Sequence, residues 1–436
     1  MSAVPDRVPE REGRGKAAVV TLGCRLNQAD AALIHGRLKR AGFEIVPADS
    51  PDADVVVVNT CSVTATAARK SRAAAKRAKE RCPGAKVIAC GCDCERDPLF
   101  WNSNGTNAAL PNIGKKSVAE IALGEPVSEN AFLPSGKLPP TVFREEANAV
   151  FPFRHRAFVK IQEGCDSFCT YCVVPLLRGR ERSRARDEVM EETRRLVGEG
   201  HREIVLTGVN VSAYADNGAD LADLVLEILG IPGDFRLRLS SMEPHEANYR
   251  LLDVMASERK LCRFLHIPLQ HGTDEILERM GRGRSTAEFA EFAETAAAKV
   301  PGIHLGTDVI VGFPGETETL FEKSLEFVSH LPLANIHVFR FSPREGTPAA
   351  GFDDKVPQRI AKERAGRFDA LSKRFSENFE RSLAGEKNSL LVEKKLPGGL
   401  VEGWSDNYLR LRIASNAAPG EIVEFILGKK ISTPSS

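Results

Sequence analysis

A chain of 436 residues with 42% hydrophobic content can bury more than one core and is expected to divide into two or three domains. Its 60 basic residues nearly cancel its 59 acidic ones, which excludes attraction of a polyanion by overall charge and leaves that role to local patches. The polar start MSAVPDRVPEREGRGK lacks the apolar core of a signal peptide, and no later apolar run approaches bilayer length. These features predict a soluble cytoplasmic protein without membrane contact, in whose reducing surroundings ten cysteines read as metal ligands or redox groups, not disulfides.

Near the N-terminus three apolar, β-rich runs each end in a cysteine: AAVVTLGC at Cys24, ADVVVVNTC at Cys61 and KVIACGC at Cys92. Helical patterns lie between them, at residues 27–41 and 64–81. Such alternation, with continuous apolar strands, predicts a parallel sheet covered on both faces, whose ligands gather at the strands' carboxyl ends. Cys24, Cys61 and Cys92 are therefore expected to converge there. Small buried residues after strands are the alternative, and identical placement in three successive units favours the site. Gly, Pro, Ser and Asn over residues 102–141 then read as a connection between domains, giving a first domain at 15–140.

The alternation resumes with strand candidates at AFVKIQ, REIVLTG, FRLRLSS, RFLHIPL, GTDVIVG and NIHVFRF. Six βα units predict an open, partial (β/α)6 barrel over residues 150–383, which includes a joining helix at 358–383. Sites in such barrels lie at the carboxyl ends of the strands. The triplet Cys165, Cys169 and Cys172, within EGCDSFCTYC, follows the first strand, and Gly208, Ser240, Ser241, Glu243, Gln270 and Gly312 sit at or just past later strand ends. Residues 384–436 alternate polar and apolar in short runs broken by Gly, Asn and Pro, which predicts a small antiparallel β-barrel. The expected fold class is thus α/β: an N-terminal parallel α/β domain, a central partial barrel and a C-terminal small β-barrel.

Cys-x3-Cys-x2-Cys brings together three thiolates that can bind an iron-sulfur cluster while leaving one iron without a protein ligand. Structural zinc takes four ligands from paired motifs, and no second Cys-x2-Cys or His pair follows closely, so zinc is the weaker reading.

With an aromatic before its last cysteine and a place after the first barrel strand, this triplet resembles that of the radical S-adenosylmethionine enzymes. The resemblance implies a [4Fe-4S] cluster on Cys165, Cys169 and Cys172, whose open iron chelates S-adenosylmethionine. Reductive cleavage of the sulfonium then yields methionine and a 5′-deoxyadenosyl radical that abstracts a hydrogen. Taken with the three N-terminal cysteines and the terminal barrel, the chain resembles the methylthiotransferases over almost its whole length. That family implies a second [4Fe-4S] cluster on Cys24, Cys61 and Cys92, associated with supplying sulfur. VEGWSDNYLRLRI resembles the TRAM module, an RNA-binding fold.

LGCRLNQAD, NTCSVTATAARKSR, EGCDSFCTYCVVP, RGRERSR and HVFRFSPREGTPAA resemble the type acting on N6-threonylcarbamoyladenosine (t6A). This implies methylthiolation at C2 of t6A at position 37 of tRNA, in the anticodon stem-loop, giving ms2t6A at the cost of two S-adenosylmethionine molecules. It also implies a low-potential electron donor such as flavodoxin and a sulfur source. Family members acting on isopentenyladenosine in tRNA or on an aspartate of a ribosomal protein are alternatives within the class. A noncatalytic iron-sulfur RNA-binding protein is the alternative outside it.

Around these centres the resemblance places Tyr171 near the adenine of the cofactor, with a core aromatic as the alternative. Gly208 permits close backbone approach, and Glu243 and Gln270 offer polar groups over the barrel mouth. The turn GFPGET, residues 312–317, lacks the spacing and lysine of a P-loop; it is expected to shape the cofactor pocket and cap the next helix. Three basic clusters suit tRNA: Arg69, Lys70, Arg72, Lys76, Arg77, Lys79 and Arg81; the alternating Arg178, Arg180, Arg182, Arg184 and Arg186; and Arg282 with Arg284. Arg284 stands where relatives have tyrosine. Cys92 departs from the family pattern in being flanked by Cys90 and Cys94, with Gly91-Cys92 the best match; Cys82 and Cys262 read as bystanders.

Overall fold

The computed structural model describes residues 13–135, 142–152, 154–244 and 246–428. The N-terminal segment before Gly13, the end of the expected connection and the last eight residues lie outside the described residues. The described residues of 1–140, 145–153 and 173–180 form one compact unit, and those of 141–144, 154–172 and 181–436 another. The short helix Val174–Arg178 thus belongs with the first unit although it follows the cysteine triplet in sequence. No linear boundary anticipates that.

In the first unit five parallel strands run in the order Glu44–Val46, Lys16–Thr21, Val55–Thr60, Lys86–Gly91, Ala108–Leu110. All six residues of VVVVNT are buried because helices cover both faces of a parallel sheet. One face packs Ile34 and Leu38 of the helix Arg25–Arg40 against Val55, Val57 and Ile88; the other packs Ala74, Ala75 and Ala78 of the helix Ala65–Arg81 against Val56, Val58 and Val87. Thr64 caps the second helix by accepting a hydrogen bond from the Ala67 amide.

The expected loose connection is a correction. Residues 102–135 supply the fifth strand and the helical turns Ile113–Ser117, Val118–Leu123 and Glu129–Phe132. These pieces are too short to show a period, and their turn residues hide them.

In the second unit the parallel strands Arg156–Lys160, Glu203–Thr207 and Arg236–Leu239 form one ladder, and Phe264–His266, His304–Val311 and Asn335–Arg340 another. Parallel bridges at Leu237–Leu261 and Ser241–His266 join them, so six strands follow in sequence order. Among the described residues no ladder joins the first strand to the sixth, as in a partial barrel. The helix Gln358–Ser382 buries Ala361, Phe368, Leu371 and Phe375.

Four antiparallel strands follow, Arg410–Ala414, Leu400–Ser405, Lys387–Leu396 and Ile422–Ile426 in spatial order, around Leu390, Val392, Val401, Leu411 and Ile413. Buried ion pairs tie this terminal sheet to the barrel strands. Wholly buried Arg238 donates to Glu203 at 2.9 Å and to the carbonyls of Ser405 and Asp406 at 2.9 and 3.0 Å. Arg236 joins Glu203 to the Ser389 and Trp404 carbonyls, and Arg263 reaches Asp406. Burial opposes ionisation of Glu203, but Arg238 and Arg236 outweigh it and hold the carboxyl well below the usual range.

Candidate functional site

Cys24, Cys61 and Cys92 follow three adjacent strands at the carboxyl edge of the first sheet: Cys24 immediately precedes the helix Arg25–Arg40, and Cys92 begins a short helix ending at Arg96. Gly23, at φ 95°, lies so close to Cys61 that a β-carbon there would stand 2.6 Å from its sulfur. Only glycine leaves that sulfur room.

Polar residues unnoticed in the sequence fix the three turns. Buried Asn27 donates to the carbonyls of Leu22 at 2.7 Å and Thr60 at 3.0 Å, holding together the turns that carry Cys24 and Cys61. Ser71, on the basic helix, accepts from the Cys61 amide and donates to its carbonyl. Thr60 donates to the Cys90 carbonyl and accepts from the Asp93 amide, bracing the turn at Cys92. Asn112 donates to the Cys92 sulfur at 3.5 Å and to the Leu177 carbonyl at 2.8 Å. Val173 and Leu177 pack on Cys92 itself.

The neighbouring cysteines face elsewhere. Cys90 is buried in the apolar core on one face of the sheet, and Cys94 in the core on the other, beside Trp101. Burial pushes the Cys90 thiol up to about 12 and Cys94 well above its ordinary value. Cys61 is pushed up to about 11, first by burial and then by Cys92 and Cys24.

In the second unit the loop of Cys165, Cys169 and Cys172 turns through Gly164 at φ 76° and through Phe168, a non-glycine residue at φ 46°. It is pinned from three sides: the Thr170 amide donates to the Met280 carbonyl, its hydroxyl to the Arg279 carbonyl, and its own carbonyl accepts from Ala349. Tyr171 packs among Ile276, Met280, Ile310 and Phe313, edge-on to Phe313 with ring centroids 6.4 Å apart. That environment favours the packing alternative for this residue.

Arg282 is the hub of this site. Nη1 donates to Glu243 Oε1 at 2.9 Å and reaches the Cys169 sulfur at 3.7 Å, while Nη2 bonds Glu243 Oε2 and, at 2.9 Å, the Pro268 carbonyl. The Glu243 amide is held by Asn210 and Ser212. Arg282 is therefore no phosphate contact but a buried partner of Glu243 and Cys169, a correction the GRGR spacing could not reveal. Gln270 adopts φ 78° at its strand end, with its amide bonded to the Asp308 carbonyl.

Ser241 bridges to His266 through the backbone and accepts the Val211 amide. Gly208 makes room for Gln162, whose Oε1 accepts the Val209 and Asn210 amides. Gly312 faces Ala361 of the helix Gln358–Ser382, where a β-carbon would stand 2.6 Å from the alanine's. The smallness of both glycines thus permits close chain packing. In the GFPGET turn, Glu316 accepts from the Gly312 amide and Arg364, and Thr317 caps the helix Glu318–Ser329.

The alternating arginines are a second correction. Arg178 is buried on Asn27 and Asp30, Arg184 is buried against Glu192, Arg182 lies beside Glu163, and Arg186 pairs with Glu227. Of the five, Arg178 and Arg184 are buried, Arg182 and Arg186 are partly exposed in ion pairs and Arg180 is exposed, so what reads in sequence as one basic stripe is only partly open to a phosphate. On the helix Ala65–Arg81, by contrast, Arg69, Lys70, Lys76 and Arg77 are exposed, whereas Arg72 pairs with Asp93 and Asp97. Arg284 is partly exposed beside Glu288.

The ten cysteines form no disulfide. Among the described residues only His266, Asp308 and His337 bring three ligand atoms within 4.8 Å of one another. Each cysteine triplet offers the three thiol donors that an iron-sulfur cluster takes from a protein. The donor set fits such a group. A cleft of about 820 Å3 between Arg144, Arg186, Asp187 and Glu227 contains none of the cysteines.

Residues 159–328 match the Radical SAM superfamily, and residues 16–106 match the uncharacterized protein family UPF0004. The chain is 32% identical to the threonylcarbamoyladenosine tRNA methylthiotransferase MtaB of Thermotoga maritima over 91% of each chain. It is 34% identical to that of Aquifex aeolicus over 94% of this chain and 100% of the relative. It is also 35% identical to the tRNA-2-methylthio-N(6)-dimethylallyladenosine synthase of Carboxydothermus hydrogenoformans, over 86% of this chain and 88% of that one. In fold it is similar to the radical S-adenosylmethionine methyltransferase TsrM of Kitasatospora setae, with a TM-score of 0.56 and 16% identity over 77% of each chain.

Proposed function

Because the chain belongs to the radical S-adenosylmethionine tRNA methylthiotransferase family, we propose that it inserts a methylthio group at C2 of t6A37 in tRNA, giving ms2t6A. The observation that carries this reading is a pair of cysteine triplets, each at the carboxyl ends of parallel strands, in a chain alike over nine-tenths of its length to relatives named for t6A.

We assign one [4Fe-4S] cluster to Cys165, Cys169 and Cys172 and a second to Cys24, Cys61 and Cys92. When bound with S-adenosylmethionine, these groups supply the radical and the sulfur chemistry. The protein's own residues orient them. Arg282 places a fixed positive charge beside Cys169 and holds Glu243 at the barrel mouth. Asn27, Ser71 and Asn112 fix the turns of the second triplet.

Among the basic clusters, the exposed Arg69, Lys70, Lys76 and Arg77 remain candidates for tRNA phosphates. The terminal sheet, by its TRAM resemblance, is assigned to RNA. Its Trp404 and Tyr408 rings stack 4.5 Å apart, and Arg410 and Arg412 both pair with Glu402. No described helix is long and apolar enough to cross a membrane, and a tRNA substrate puts the enzyme in the cytoplasm with a low-potential electron donor and a sulfur source.

The second reading, isopentenyladenosine as substrate, is favoured by the 35% identity to the dimethylallyladenosine synthase. Mass spectrometry of tRNA nucleosides from cells lacking the gene separates the two. Loss of ms2t6A is expected, and loss of the isopentenyl product in its place refutes the assignment. The reduced, reconstituted protein must also release 5′-deoxyadenosine with substrate tRNA, and Cys169→Ala must abolish that release.

A further inference from the structure

We propose that His266, Asp308 and His337 form a binding site for a divalent transition-metal ion, outside both cysteine triplets. The three residues lie on three adjacent parallel strands, Phe264–His266, His304–Val311 and Asn335–Arg340, with Asp308 in register with His337 and Gly306 in register with His266. Registered and alternate residues share one face of a parallel sheet, so all three side chains leave the same face.

They converge on a single atom. His266 Nε2 lies 2.9 Å and His337 Nδ1 3.4 Å from Asp308 Oδ1. A carboxylate that merely satisfied two imidazoles could spread them over its two oxygens; here both address one. Metal–ligand bonds of about 2.1 Å at right or tetrahedral angles separate ligand atoms by about 2.9–3.4 Å. The observed spacing already falls in that range. The two rings stand 5.0 Å apart between centroids, on either side of the carboxylate.

Gly306 makes the convergence feasible: a β-carbon there would lie 3.0 Å from His266 Nδ1, so the one intervening position on this face carries no side chain. Exposure is graded across the group. The His266 side chain is 8% exposed, Asp308 21% and His337 55%, which leaves coordination positions open on the His337 side for water or an added ligand. Two imidazoles and one carboxylate on one side, with the other side open, are the donor set of facial-triad centres, and imidazole–carboxylate sites also take zinc.

The test uses the enzyme with both clusters loaded, so that the cysteines are occupied, after passage over a chelating resin. Zn2+ alone is titrated by calorimetry, with iron content measured before and after. One equivalent of Zn2+ is expected in the wild type, weakened more than tenfold in both Asp308→Asn and His337→Ala. Zinc-edge X-ray absorption should show only nitrogen and oxygen ligands at about 2.0–2.1 Å. A sulfur shell at about 2.3 Å, no zinc uptake by the wild type, or uptake by the two variants as tight as the wild type's would each overturn the site. Because His337 is half-exposed, His337→Ala is expected to keep the wild-type unfolding midpoint, which separates loss of metal from loss of fold.

Discussion

Replacing Arg238 with methionine is expected to destabilise the second unit by about 3–5 kcal/mol. The guanidinium is wholly buried and makes four hydrogen bonds: two to Glu203, which is also wholly buried, and one each to the Ser405 and Asp406 carbonyls. Methionine fills most of the volume, so little of the cost is cavity. The two orphaned carbonyls cost about 1–3 kcal/mol each. Glu203 keeps Arg236, at 2.7 Å, which limits its own contribution and holds the total near the cost of one broken buried pair.

Guanidinium unfolding followed by tryptophan fluorescence reads the loss, since Trp404 stacks within the sheet that Arg238 anchors. The double variant Glu203→Gln/Arg238→Met should recover part of it, because the neutral amide leaves no unpaired charge. A pH series adds a sign. Glu203 has a folded value below its unfolded value of about 4.3, so its stabilisation is complete above that pH and is lost as pH falls through the folded value. Arg238→Met should therefore show a shallower acid dependence below about pH 4. A loss under about 1 kcal/mol, or a double variant as unstable as the sum of the singles, would refute the reasoning.

Three further outcomes follow from the sites. Cys92→Ala should lose roughly half of the bound iron, while Cys90→Ala and Cys94→Ala keep all of it because both thiols are packed in apolar cores; equal iron loss in all three would remove Cys92 as the third ligand. Arg282→Gln should move the midpoint potential of the Cys165–Cys169–Cys172 cluster to more negative values, because a positive donor beside Cys169 favours the reduced, more anionic state. EPR-monitored titration checks this, and an unchanged potential would reduce Arg282 to a structural clamp. His304 is buried and held neutral, its folded value lowered to about 3 chiefly by burial, against about 6.5 unfolded. The unfolded chain then takes up the proton first, and stability should fall as pH drops below about 6.5. His304→Phe should flatten that limb in a thermal-shift series, and an unaltered slope would contradict the assignment.

The long periodic elements were legible because their apolar pattern had room to repeat. The strand Val55–Thr60 and the helix Gln358–Ser382 are read almost to the residue, and the six barrel strands appear in order. Cysteine placement was legible too, since a strand's carboxyl end is a position in sequence as well as in space. What sequence hid was partnership across long separations. Arg282 reads as one of two arginines in GRGR, and its role depends on Glu243 and Cys169, 39 and 113 residues away. Arg178 and Arg184 read as a cationic stripe until Asp30 and Glu192 are seen beside them. Asn112 lies in a segment whose turn residues disguise a three-residue strand, and nothing local marks it as a neighbour of Cys92.

The fastening of the terminal sheet carries a geometric consequence. Glu203, Arg236 and Arg263 lie at the amino ends of the barrel strands, whereas the loop of Cys165, Cys169 and Cys172 lies past the carboxyl end of the first. Strands of three to eight residues, at about 3.3 Å per residue, set those ends roughly 10–26 Å apart. With buried ions gripping one end, that span cannot slacken as a tether would. RNA held by the terminal sheet would meet a caliper with a locked jaw, so the nucleotide offered to the radical would be chosen by distance from the grip as well as by the chemistry of its base.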